Sequence, residues 1–139
     1  MKIFLSSHGK MASGIKSSID LLVGSSDNLI VHDAYLNDEN LEEVVKSFIN
    51  DLPYDEKVLF LSDLYGGSVN QVLSRYIDNE RFFLISGFNL ALVLEAIMME
   101  DINEKVLDYL VDVGKKAVKI VSLDDVEIKQ DNNIDDFFD

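Results

Sequence analysis

The chain has no cysteine, no tryptophan and a single proline, and it carries only 12 Lys+Arg against 26 Asp+Glu in 139 residues. Without thiols there can be no disulfide, Cys-ligated zinc, iron–sulfur cluster or cysteine nucleophile, and this usage suits a reducing compartment, so the expected location is the cytoplasm. The shortage of cations leaves a formal net charge of −14. Such a surface repels phosphate backbones and anionic lipid, which argues against nucleic acid and in favour of a basic protein as partner. Long hydrophobic runs are missing too. Met1-Lys2-Ile3-Phe4-Leu5 meets Ser6 and His8 too early for the core of a signal peptide, and no run reaches the roughly 20 apolar residues of a membrane span. Nor is there a G-x-x-x-x-G-K-[ST], G-x-G-x-x-G or G-x-S-x-G motif, so the usual loops of ATP-, NAD- and serine-hydrolase chemistry are lacking.

What the chain does have is 47% hydrophobic residues, enough for one domain of this length to fold without staples. The composition shifts only near the end: from Ser122 onward there are seven acids and one Lys. This divides the chain into a domain over 1–123 and an acidic tail over 124–139, in which Val126-Glu127-Ile128 is the one candidate short strand.

Within the domain, short apolar runs at Lys2 to Ser6, Leu29 to His32, Lys57 to Ser62 and Phe82 to Ser86 read as strands buried on both faces. Helical periods lie between them. Met11, Ile15, Ile19, Leu22 and Val23 form one face; Leu41, Val44, Val45, Phe48, Ile49 and Leu52 form a second, with Asp38 or Asn40 as its cap. A third joins Val69, Val72, Leu73, Tyr76 and Ile77, and a fourth Leu90, Val93, Leu94, Ile97 and Met98. The fifth, from Asn103 as N-cap to about Lys116, buries Val106, Leu110, Val113 and Ala117.

Alternating strands and amphipathic helices predict an α/β domain: a single doubly wound parallel sheet of order 2-1-3-4 with helices on both faces. Val118-Lys119-Ile120-Val121 remains as a possible fifth, edge strand. In such a sheet ligand chemistry belongs where the strand order reverses, at the carboxyl ends of strands one and three. Strand one ends Ser6-Ser7-His8-Gly9, and strand three ends Ser62-Asp63-Leu64-Tyr65-Gly66-Gly67-Ser68.

An imidazole and a carboxylate therefore face each other at the switch point. Asp63 accepting one ring N–H would fix the tautomer of His8 and leave the other nitrogen's lone pair free as a nucleophile. Gly66-Gly67-Ser68 opening a helix offers backbone N–H groups and a hydroxyl to a phosphoryl group, and Ser6, Ser7 and Gly9 could add donors. Phosphoryl transfer demands mainly positioning and charge stabilisation, so His8 is the candidate phosphoryl carrier. Two rivals use the same residues: a metal-dependent hydrolase using His8, His32 and Asp63, from a conceivable metal grouping that also takes in Asp33, and a receiver-like domain phosphorylated on Asp63. No two of those ligands share a rigid helical face, and strand one lacks the acidic pair that would hold Mg²⁺, so neither a metal nor a cofactor is expected.

Three motifs in order carry a family resemblance: Ser7-His8-Gly9 with Ala12-x-Gly14, then Leu59-Phe60-Leu61-Ser62-Asp63-Leu64-Tyr65-Gly66-Gly67-Ser68, then Ser86-Gly87-Phe88-Asn89-Leu90. From about Lys2 to Val121 the chain resembles the IIA component of the mannose/fructose/sorbose class of the bacterial phosphoenolpyruvate-dependent sugar phosphotransferase system. The resemblance implies that His8 takes a phosphoryl group from the histidine phosphocarrier protein HPr and passes it to a IIB component. It further implies that Asp63 partners the His, that Ser68 lies near the phosphoryl group, and that the membrane IIC and IID components are served indirectly. It also implies a homodimer exchanging an antiparallel fifth strand, for which 118–121 is the candidate. The same fold serves dihydroxyacetone kinase, an alternative destination for the phosphoryl group. Tyr65 and Val69 stand where many members have Trp and Pro, and Ala91-Leu92 where many have Pro-Met, changes at the rim that bear on partner specificity.

Overall fold

The computed structural model describes residues 1–126. Its elements run β1 Lys2–His8, α1 Met11–Val23, β2 Leu29–Ala34, α2 Leu41–Asn50, β3 Val58–Ser62, α3 Ser68–Ser74, β4 Phe82–Ser86, α4 Leu90–Ala96 and α5 Glu104–Ala117. All strand pairs are parallel and the order is β2-β1-β3-β4, as the alternation of elements predicts. Strand side chains alternate between two cores. Ile3, Leu5, Leu59 and Leu61 face α1, α4 and α5, whereas Phe4, Val58 and Phe60 face α2 and α3. Burial on both sides explains why the strands read as continuous apolar runs. On the second side Phe4 meets Phe48 and Phe60 with ring centroids 4.8 and 5.8 Å apart, and removing such a fully buried ring costs about 3–5 kcal/mol.

Helix starts follow local chemistry. The side chains of Asn40, Asn89 and Asn103 accept the backbone N–H of Glu43, Leu92 and Val106 and so cap α2, α4 and α5. The helix faces differ from the periodic reading in four places. In α1 the buried residues are Ala12 and Ile19, while Met11, Leu22 and Val23 are exposed, because the Ala12 N–H is tied to the Ser7 hydroxyl and this turns Ala12, not Met11, onto the sheet. α3 ends at Ser74, before Tyr76 and Ile77, and Ile77 is exposed while Tyr76 reaches Glu42 on α2.

In α4 Val93 of the expected stripe is buried and Leu90, Leu94 and Ile97 pack against the core, but Leu92 and Ala96 are buried as well and Met98 is exposed. The cause is long-range: Asn89 donates from its amide to the Gly114 carbonyl at 2.8 Å, drawing Leu92 onto α5. A Cβ on Gly114 would stand 3.0 Å from Leu92 Cδ1. Gly114 consequently takes the buried position that periodicity gives to Ala117, which is exposed.

Among the described residues the sheet has four strands; 118–121 follow α5 without strand pairing, and 123–126 form a helical turn with Ser122 and Asp125 bonded to each other at its start. Val126 lies in that turn instead of a strand, and Glu127 and Ile128 fall outside the described residues. No helix among the described residues is long and apolar enough to cross a membrane.

Candidate functional site

The register of the central strands assembles the site. Ser6 pairs with Ser62, so His8 at the end of β1 and Asp63 just after β3 rise from the same rim of the sheet at the switch point. Asp63 Oδ2 accepts two hydrogen bonds from one residue, the His8 backbone N–H and ring Nδ1, each at 2.9 Å. With Nδ1 bearing the proton, Nε2 is an acceptor, and the Ser68 hydroxyl lies 3.1 Å from it. The imidazole is 45% exposed and the carboxylate 13%: the acid is sheltered and the ring is offered to solvent.

Burial pushes the Asp63 carboxyl upward, but the hydrogen bonds from the His8 backbone and ring outweigh it and hold the group below its ordinary 3.8. Its other oxygen, Oδ1, is buried without a hydrogen-bond partner among the described residues, so the carboxylate acts on His8 through a single oxygen.

The loop after β3 is shaped by glycine. Gly66 has φ +77°, a conformation that side chains resist, and a Cβ on Gly67 would sit 3.2 Å from the Leu64 carbonyl and 3.5 Å from His8 Cε1. The expected cradle of glycine N–H groups is not what the loop presents. The Gly66 N–H goes to Asn70 Oδ1 and the Gly67 N–H to the Leu64 carbonyl, because the tight turn closes on itself. Asn70 also donates to the Ser62 hydroxyl, and Gln71 to the Gly66 carbonyl. The glycines thus admit the imidazole, and Ser68 supplies the hydroxyl.

Three other expected donors are turned elsewhere. Ser7 is fully buried, accepts the Ala12 N–H at 2.8 Å and donates to the Gly9 carbonyl, so its hydroxyl anchors α1. The Gly9 N–H donates to the Ala34 carbonyl, and the Ser6 hydroxyl to the His32 carbonyl. The four-residue metal grouping is not assembled. His32 is only 14% exposed, with Nε2 3.3 Å from Glu39 and Nδ1 3.4 Å from Ser6, instead of standing free at the strand end. Asp33 accepts the Ser13 N–H in the first turn of α1. Among the described residues no three His, Asp or Glu are placed to hold a metal ion.

Sequence reasoning passed over Asn70 and Gln71, for which spacing after Gly-Gly-Ser was an available signal, and Tyr35, for which there was none. Tyr35 has φ +67° and its ring centroid is 5.2 Å from that of His8. A left-handed backbone at a residue with Cβ costs roughly 1–2 kcal/mol. The loops that follow β2 and β3 beside His8 carry the exposed side chains of Leu36, Leu64 and Tyr65, and the start of α1 carries that of Met11.

Residues 2–113 match the family model EIIA-man, described as the PTS (phosphotransferase system) fructose IIA component. The chain is 26% identical over 104 residues to the PTS system fructose-specific EIIA component of Bacillus subtilis (strain 168), covering 73% of this chain and 71% of that one. It is 27% identical over 132 residues to the PTS system mannose-specific EIIAB component of Escherichia coli (strain K12), covering 90% of this chain and 41% of that protein, so it spans less than half of this longer relative. The mannose/sorbose specific IIA subunit of the phosphotransferase system from Enterococcus faecalis superposes with a TM-score of 0.76 at 25% identity, covering 88% of this chain and 95% of that one.

Proposed function

The chain belongs to the EIIA-man family of phosphotransferase-system IIA components, and from that premise we propose that it is a phosphocarrier of sugar uptake whose acceptor is Nε2 of His8. Family membership supports the phosphocarrier role in general. The particular atom is carried by one observation: Asp63 Oδ2 holds Nδ1 at 2.9 Å, leaving Nε2 to the Ser68 hydroxyl on a half-exposed ring.

The chemistry follows from that arrangement. The Nε2 lone pair attacks the phosphorus of a phosphohistidine on HPr; the new N–P bond forms as the donor's N–P bond breaks, and the donor imidazole retains the electron pair. The proton on Nδ1 stays in the hydrogen bond to Asp63, whose negative charge stabilises the cationic character that the ring acquires. Ser68 turns its hydroxyl from Nε2 to a phosphoryl oxygen. The nucleophile of a IIB component then reverses the geometry and takes the group on towards the membrane IIC and IID components. Because two proteins must reach one atom in succession, a ring standing on an open rim suits the task better than one in a cleft.

A homodimer completes the reading. β4 is an edge strand with nothing paired on its outer side among the described residues, and Val118, Ile120 and Val121 are exposed beyond α5. Segment 118–121 of each subunit pairs antiparallel with β4 of the other, which removes an open edge and covers apolar surface together.

The carrier reading is tested by incubating the protein with phosphoenolpyruvate, enzyme I and HPr. An acid-labile, base-stable phosphate is expected in the parent and none in His8→Ala. Label that survives in His8→Ala would contradict the assignment.

A further inference from the structure

Four sides of the His8 ring are accounted for by what surrounds it. Nδ1 meets Asp63, Nε2 meets Ser68, and Cε1 faces Gly67 so closely that a Cβ there would be 3.5 Å away. The remaining neighbour is a second ring, that of Tyr35, at 5.2 Å between centroids with the planes inclined by 47°. Hydrogen bonds at two in-plane nitrogens fix the ring's direction but resist rocking about the line joining them only weakly. A second ring packed at this distance and tilt supplies that restraint.

The backbone beneath Tyr35 points the same way. Two residues other than glycine adopt positive φ among the described residues: Asn79 at 59° and Tyr35 at 67°. Asn tolerates this conformation in turns and needs no special explanation, whereas Tyr does not favour it. Glycine or asparagine would relieve the strain at position 35, yet the chain places there an aromatic ring that reaches the acceptor. Both flanks hold the conformation. The Ala34 carbonyl receives the Gly9 N–H, Asn37 Oδ1 receives the Glu39 N–H, and Glu39 is gripped by His32. Strain maintained by surrounding contacts at a reacting group is the pattern expected where geometry serves function.

We infer that Tyr35 is a positioning residue for phosphoryl transfer: its ring holds the plane of the His8 imidazole so that Nε2 points along the line of approach of the phosphoryl group. This rests on His8 being the acceptor. The hydroxyl of Tyr35 has no part in it, and neither does partner affinity. The 50% exposure of Tyr35 leaves its outer surface to be covered when a partner docks.

Two variants separate ring from backbone. Tyr35→Asn keeps a residue that accepts positive φ and removes the ring; Tyr35→Phe keeps the ring and removes the hydroxyl. At saturating phospho-HPr, Tyr35→Asn should accept phosphate about tenfold more slowly than the parent, with the half-saturating donor concentration within about twofold. Tyr35→Phe should restore the parent rate. In ¹⁵N-histidine spectra, the His8 ring of Tyr35→Asn should keep the Nδ1–H tautomer that Asp63 fixes but show faster ring motion in its relaxation, a change that looser packing elsewhere would not produce. A parental maximal rate in Tyr35→Asn would overturn the inference, as would a defect confined to donor saturation or an equal loss in Tyr35→Phe. If the parent itself takes no label on His8, the carrier reading fails first; if the parent is labelled and Tyr35→Asn is indistinguishable from it, only the role of Tyr35 fails.

Discussion

The rim at His8 and the outer edge of β4 belong to one sheet, but they are finished to different degrees. At the rim the reacting groups find their partners within the chain: Asp63 on Nδ1, Ser68 on Nε2, Asn70 on the glycine turn. Along β4 the groups are left over. The Ser86 hydroxyl is buried without a partner among the described residues, the groove between β4 and α5 is lined by Asn89, Lys115 and Val118, and Ile120 beyond it is 94% exposed. The proposed chemistry thus draws on one chain, whereas the proposed strand exchange would complete the hydrophobic surface with a second. The two should respond to mutation independently.

The largest expected effect lies at the rim. Asp63→Asn keeps the shape of the side chain but offers an N–H₂ or a neutral oxygen to the ring, so the tautomer is no longer fixed and the cationic intermediate loses its counter-charge. Phosphoryl uptake from phospho-HPr should fall by about 10²-fold or more, with the far-ultraviolet circular dichroism unchanged. An unaltered rate would remove Asp63 from the mechanism.

An intermediate effect tests the other region. Ile120→Asp puts a charge into the strand that is proposed to be exchanged, and should convert a dimer to a monomer in sedimentation at micromolar concentration. The rate of His8 labelling should stay within about twofold of the parent, because the rim draws on one chain only. A dimer that persists would refute the strand exchange, and labelling that disappears with the dimer would break the separation of the two regions.

The smallest effect is in acid. Since the folded Asp63 is held below 3.8, it contributes stability that is fully present above that value and is lost as pH falls through its lowered folded value. Urea midpoints of parent and Asp63→Asn should thus differ most near neutrality and converge as pH drops below 3.8. A gap that stays constant across that range would mean the carboxylate is not stabilised by His8 in the folded protein.

The fold was legible because its signals are local and repeated: apolar runs of strand length, helical periods between them, and asparagines at Asn40 and Asn103 where helices begin. The burial of Leu92 in α4 was not, since it follows from Asn89 reaching Gly114, 25 residues away. The same division holds at the site. His8, Asp63 and Ser68 could be placed together from topology alone, because parallel strands one and three must end side by side. Ser7 could not be told from its neighbours as a donor, since whether a strand-end hydroxyl faces the ligand or the next helix depends on which way the chain leaves the sheet. Likewise Gly66 and Gly67 were read as offering free N–H groups, but which carbonyl or side chain takes those groups is decided only when the turn closes. Tyr35 carried no sequence mark at all, because its contact with His8 depends on a backbone conformation that its residue type argues against.

The central claim is that one imidazole nitrogen, Nε2 of His8, bears the phosphoryl group in transit. It is tested most directly by ¹⁵N and ³¹P nuclear magnetic resonance of the histidine-labelled protein after phosphorylation by phosphoenolpyruvate, enzyme I and HPr. The expected result is a single phosphohistidine at His8 substituted on Nε2, with Nδ1 still protonated and bonded to Asp63; phosphate on Nδ1, on His32 or on a carboxylate would contradict it.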